Sequence, residues 1–139
     1  MAICFSRGGI TEKERYMEAC KKRILIVDDD TMVLNMLRGV LGKDYDVTTV
    51  NSGELAMSFL ARKSTDIIFL DYSMPGENGP EVMDRIRSNP RTRNIPIVFL
   101  TGVSDSESVV NITAKNPDGY LMKPVERSRL IATVENLVK

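Results

Sequence analysis

At 139 residues the chain has room for one domain with a substantial hydrophobic core, not for two. Hydrophobic residues make up 42% and charged residues 27%, with basic and acidic side chains in balance, so overall charge lends no support to nucleic-acid binding. Histidine is absent, which excludes imidazole general bases, histidine metal ligands and Ser-His-Asp triads and leaves carboxylates, hydroxyls and lysine to carry any chemistry.

Residues 1–22 differ in character from the remainder of the chain and are read as an N-terminal extension, with one domain over residues 23–139. The stretch up to Arg23 carries six basic against three acidic side chains. Thr11 and Glu14 have capping-box spacing, which suits a short helix from about Glu12 to Lys21; a disordered leader is the alternative. The apolar start, Ala2 to Phe5, is interrupted at once by Ser6, Arg7, Gly8 and Gly9, unlike a secretory signal. No apolar run approaches the roughly 20 residues of a membrane span. A cytoplasmic setting without membrane attachment is the default expectation. Cys4 and Cys20 both precede the first expected strand and read as free thiols.

From Arg23 onward short apolar runs alternate with amphipathic stretches, the pattern of βα units and a parallel sheet. Ile24 to Val27 is a wholly apolar strand. Asp28, Asp29, Asp30 and Thr31 lead into a helix over Met32 to Leu41, ended by Gly42. Asp30 suits the cap of that helix, and Met32, Met36 and Met57 read as core or surface fillers. Asp46 to Val50 is a second strand, after which Ser52 caps a helix carrying Leu55, Ala56, Phe59 and Leu60. The third strand, Asp66 to Leu70, runs into Asp71, a loop from Met74 to Gly79, and a helix opened by Pro80. A fourth strand, Ile95 to Leu100, precedes Thr101-Gly102 and a weakly amphipathic helix within Ser106 to Lys115. Gly119 to Met122 is the fifth strand, then Lys123-Pro124 and a final helix with Leu130, Ile131, Val134 and Leu137 on one face. Fully apolar strands imply burial on both faces, hence a doubly wound α/β fold with a five-stranded parallel sheet.

Ligands of open α/β sheets bind beyond the carboxyl ends of the strands. There stand Asp28 and Asp29 after the first strand, Asp71 after the third, Thr101 after the fourth and Lys123 after the fifth; Asn51 and Ser52 after the second read as turn and cap. Two carboxylates 4 Å apart repel by about 4 kcal/mol at an effective dielectric of 20, so three need a cation. A hard divalent ion, Mg²⁺ first, with Mn²⁺ as a substitute, suits oxygen ligands and a phosphate partner. With no imidazole at this rim, the best nucleophile is an aspartate attacking phosphorus, and Asp71, at the end of the central strand, is the choice.

The successive motifs Ile24-Leu-Ile-Val-Asp-Asp29, Ile68-Phe-Leu-Asp71-Tyr-Ser-Met-Pro75 with Gly79, Val98-Phe-Leu-Thr101-Gly102 and Gly119-Tyr-Leu-Met-Lys123-Pro124 resemble those of response-regulator receiver domains of two-component signalling, over residues 23–139. The resemblance implies the flavodoxin-like strand order 2-1-3-4-5. It implies that Asp71 is the phosphoacceptor, that Asp29 and Asp71 ligate Mg²⁺ directly, that Asp28 acts through water, and that the backbone carbonyl of Ser73 completes the protein ligands. Thr101 and Lys123 would contact the phosphoryl group, Tyr120 would be the switch aromatic, and the Lys123-Pro124 bond would be cis. A histidine kinase or phosphotransfer protein would supply the phosphoryl group. The response would appear on the face of the fourth helix, fifth strand and fifth helix, as a monomer or weak homodimer, and reach a downstream output protein or domain. Ser73, where the family often has asparagine, and Val103 flank the path of hydrolytic water. Asn116-Pro117-Asp118 is unusual before the fifth strand. Such a domain catalyses only its own phosphorylation and dephosphorylation and is not otherwise an enzyme. Two other readings are a haloacid-dehalogenase-like phosphatase, to which Asp28-Asp29-Asp30 offers D-x-D without the later motifs, and a pseudo-receiver that binds without phosphorylation. No room remains after the last helix for an output domain, so the chain reads as a stand-alone regulator or an excised receiver.

Overall fold

The computed structural model describes residues 21–102 and 116–138. Five strands, β1 (Arg23–Val27), β2 (Asp46–Val50), β3 (Ile67–Asp71), β4 (Ile97–Thr101) and β5 (Gly119–Met122), form one sheet in the order β2-β1-β3-β4-β5, and every pair is parallel. The helices among the described residues are α1 (Thr31–Leu41), α2 (Gly53–Arg62), α3 (Gly79–Arg87) and α4 (Arg127–Leu137). The expected leader helix, Cys4 and Cys20, Val103 and the helix expected within residues 106–115 lie outside the described residues. No described helix is long and apolar enough to cross a membrane.

Alternate residues of the apolar strands feed two cores. Ile24, Ile26, Phe69 and Leu100 pack with Leu34, Leu37, Leu130 and Val134 of α1 and α4. Leu25, Val27, Ile68, Leu70 and Phe99 pack with Ala56, Leu60, Val82 and Ile86 of α2 and α3. Strands buried on both faces hold their end residues in place, because a one-residue slip would exchange the two cores.

The helix starts obey local chemistry. Asp30 caps α1, its carboxylate accepting from Met32 N at 2.9 Å, and Ser52 caps α2 through Leu55 N. For α3 the cap is Asn78, one half of a capping box with Glu81, with Pro80 in the first turn. Strand β4 begins at Ile97 rather than Ile95, since Ile95 N is spent in a turn on Thr92 O and Pro96 has no N–H to give the ladder. Leu55 is half exposed; α2 buries Gly53, Ala56 and Leu60, spacings that turn its inner face away from Leu55.

The β3–α3 loop is held from three directions. Gly76 takes φ +85°, open to glycine, and Gly79 N donates to Tyr72 O at 2.9 Å. Glu77 accepts from Arg85 Nη1 at 2.7 Å, an atom that also reaches Glu54 at 3.2 Å, so the loop is tied to α3 and α2. Gly79 is where the loop passes closest to the end of β3: a Cβ there would lie 2.5 Å from Asp71 O and 2.9 Å from Tyr72 Cα. Both are backbone atoms that cannot move aside cheaply. Gly79→Ala is therefore expected to destabilise the domain by about 2 kcal/mol, read from the urea midpoint; an unchanged midpoint would show that the loop relaxes freely.

Candidate functional site

Four chain segments converge at the carboxyl edge of the sheet. Asp28 comes directly after β1, with its N–H bonded to Val50 O. Its Oδ1 accepts from Asp30 N at 2.9 Å, a turn that orients the carboxylate and starts α1 together. Asp71 ends β3 and accepts from Ser73 N at 3.3 Å, the same two-residue device. Asp28, Asp71 and Thr101 are buried, while Asp29 is exposed.

Lys123 reaches in from the end of β5. Its Nζ lies 2.8 Å from Asp28 Oδ2 and 3.2 Å from Asp71 Oδ1. The stem is fixed at its root by Lys123 N donating to Thr101 O at 2.6 Å, and the Lys123-Pro124 bond is cis. Burial works against the ammonium, yet the contacts with Asp28 and Asp71 outweigh it and hold the Lys123 pKa above its usual value. For Asp71 the balance tips the other way. Burial first, then the charge of Asp28, push it up to about 7, against the pull of Lys123.

One ammonium thus faces two buried carboxylates, with Asp29 at the solvent side. One oxygen from each of Asp28, Asp29 and Asp71 lies within 4.8 Å of the others. Among the described residues, Asp28 Oδ2, sealed from solvent, has no well-formed hydrogen bond and is compensated by the close approach of Lys123. An all-oxygen set with excess negative charge fits a small hard divalent cation that keeps part of its water.

Thr101 is at the rim as expected, but its hydroxyl donates to Met122 Sδ at 3.3 Å. Tyr120 stands 46% exposed on the edge strand. Ser73 meets Asp71 through its N–H. Asn116, ahead of β5, takes the left-handed φ of +57° that asparagine tolerates. Asp118 then joins Ile97 N at 2.8 Å and Arg87 Nη2 at 3.0 Å, which ties the start of β5 to β4 and α3. The Met122 contact was not anticipated from the sequence. Its signal is the pairing of two motif ends, because Met122 is the β5 residue in register with Thr101.

Comparison with known proteins identifies the family and the fold. The family of the response regulator receiver domain matches residues 24–135. The chain belongs to that family. Among curated relatives, the DNA-binding response regulator MtrA of Mycobacterium tuberculosis is 34% identical over 119 residues, covering 85% of this chain and 51% of MtrA. The response regulator PleD of Caulobacter vibrioides is 33% identical over 118 residues, 84% of this chain and 26% of PleD. The chain spans about half the length of MtrA and about a quarter of PleD. Among solved structures, the signal receiver domain of a signal transduction histidine kinase from Syntrophus aciditrophicus superposes with a TM-score of 0.77 at 30% identity, covering 84% of this chain and 89% of that one. The Vibrio cholerae chemotaxis protein CheY4 gives 0.79 at 26% identity, covering 86% and 100%. This receiver is thus a domain of two-component signalling, with the expected strand order.

The charge balance has two measurable consequences. Between about pH 4 and 7 the folded receiver retains an Asp71 proton that the unfolded chain has already released, so stability declines as pH rises through that window and the full cost is present above it. Asp71→Asn is therefore expected to stabilise the protein by about 2 kcal/mol at pH 8 in a chelator, a gain that fades toward pH 4, measured by urea titration. Titration calorimetry with Mg²⁺ should show affinity falling as pH drops below about 7, where Asp71 takes up its proton; a flat profile would separate Asp71 from the cation.

Proposed function

We propose that this receiver is a phosphoacceptor switch that carries an acyl phosphate on Asp71. The observation that supports it best is the shared contact of Lys123 with Asp28 and Asp71 beside a third carboxylate, because it leaves a net negative charge that a divalent cation and then a phosphoryl group complete. Mg²⁺, or Mn²⁺ in its place, would be held by Asp29, Asp71 and the Ser73 backbone carbonyl, with Asp28 acting through water. When bound, the ion supplies charge neutralisation at the phosphoryl oxygens.

The residues then divide the work. An Asp71 carboxylate oxygen attacks phosphorus while the bond from phosphorus to the histidine nitrogen of a partner kinase or phosphotransfer protein breaks, and the electron pair leaves with that nitrogen. Lys123, already charged and aimed, moves its contact from the carboxylate to a phosphoryl oxygen. Thr101 gives its hydroxyl hydrogen to another of those oxygens. The switch is then a shift between two arrangements, with Thr101 and Tyr120 as the moving side chains. It reaches the face made by the β4–β5 connection, β5 and α4, where an output protein or domain, or a second copy in a weak homodimer, would read it. The chain acts on itself and turns over no other substrate. The setting in the cell is proposed to be cytoplasmic, where such kinases present their phosphohistidine.

Acetyl phosphate with Mg²⁺ should add one phosphoryl group per chain, detected by intact-mass spectrometry, and chelation should prevent it. Asp71→Asn should remove the label, and Lys123→Ala should slow it by about tenfold or more. Catalytic turnover of small phosphate esters would favour a phosphatase instead, and failure of the wild type to label would favour a binding-only receiver.

A further inference from the structure

Thr101 is buried at the end of β4, and its hydroxyl has one hydrogen to give. It gives that hydrogen to Met122 Sδ at 3.3 Å. A thioether is a weak acceptor, whereas a charged oxygen binds a hydroxyl donor far more strongly. The two residues are register partners on β4 and β5, and the main chain beside them is pinned by Lys123 N on Thr101 O. Only side-chain torsions are needed to part the hydroxyl from the sulfur. Met122 is 38% exposed, so its flexible thioether can swing outward without opening a cavity in the core.

We propose that Met122 is a positioning residue whose sulfur holds the Thr101 hydroxyl in the resting receiver and thereby sets how readily that hydroxyl passes to a phosphoryl oxygen. The inference rests on the phosphoacceptor reading of Asp71. Met122 never touches the phosphoryl group. Its effect is on the resting state alone, since in the phosphorylated state the hydroxyl has left it, and an interaction present in only one of two states biases their populations. Leucine at this position fills the same volume and accepts nothing, leaving a buried hydroxyl unpartnered at rest. Glutamine offers a stronger acceptor on a side chain of similar reach.

The test is the apparent affinity for beryllofluoride with Mg²⁺, read by fluorine NMR on the full chain. Met122→Leu is expected to tighten binding about threefold or more, and Met122→Gln to weaken it by a similar factor, the size of one weak neutral hydrogen bond. In a Thr101→Val background both effects should vanish, which a general change in packing at Met122 would not produce. If wild type binds beryllofluoride but the two variants shift affinity in the same direction, leave it unchanged, or keep their effects in the Thr101→Val background, the role assigned to Met122 is wrong while the phosphoacceptor reading stands. If wild type does not bind beryllofluoride at all, both fall together.

Discussion

Two buried carboxylates share one ammonium, and the rest of the site is arranged around that imbalance. Asp28 and Asp71 lie at the ends of adjacent strands with Lys123 in contact with both. At these separations each contact or repulsion is worth several kcal/mol before solvation is counted. Burial first, and then the neighbouring charge of Asp28, push Asp71 up to about 7 because the one ammonium does not offset both, while the two acids hold the Lys123 pKa above its usual value. A cation from solution could relieve the excess, and Asp29, on the exposed side of the cluster, stands where such an ion would enter.

An electrostatic arrangement of this kind persists only if the backbone cannot relax away from it. Each acid accepts from the N–H two residues further on, Asp30 for Asp28 and Ser73 for Asp71. The lysine is rooted through its own N–H to β4. Beneath these contacts lie strands buried on both faces, whose register cannot slip without exchanging two cores. Behind Asp71 the loop is drawn tight at Gly79 and tied by Glu77 to Arg85. Removing the charge imbalance would favour the fold while ending the chemistry proposed for the site, the usual opposition between stability and a functional site.

Much of this was legible along the chain, for physical reasons that can be named. A parallel sheet buried on both sides needs uninterrupted apolar strands, and Ile24 to Val27 and Ile97 to Leu100 announce themselves that way. Candidate site residues in such a sheet come immediately after the strands, so Asp28, Asp29, Asp71, Thr101 and Lys123 could be named from position alone. Capping was partly readable: Asp30 and Ser52 stand directly before their helices, whereas the reciprocal Asn78 and Glu81 pair was overshadowed by Pro80.

The sequence by itself determined the order of elements and the residues at the rim, since these depend on local periodicity and on what must come after each strand, and its motifs carried the resemblance to the family. Only the tertiary structure decided which oxygens share Lys123, how far Asp71 is pushed from ordinary carboxylate behaviour, and that the Thr101 hydroxyl rests on Met122. Those outcomes depend on distances between atoms far apart in the chain and on how completely water is excluded between them, and neither quantity is encoded in spacing along the sequence.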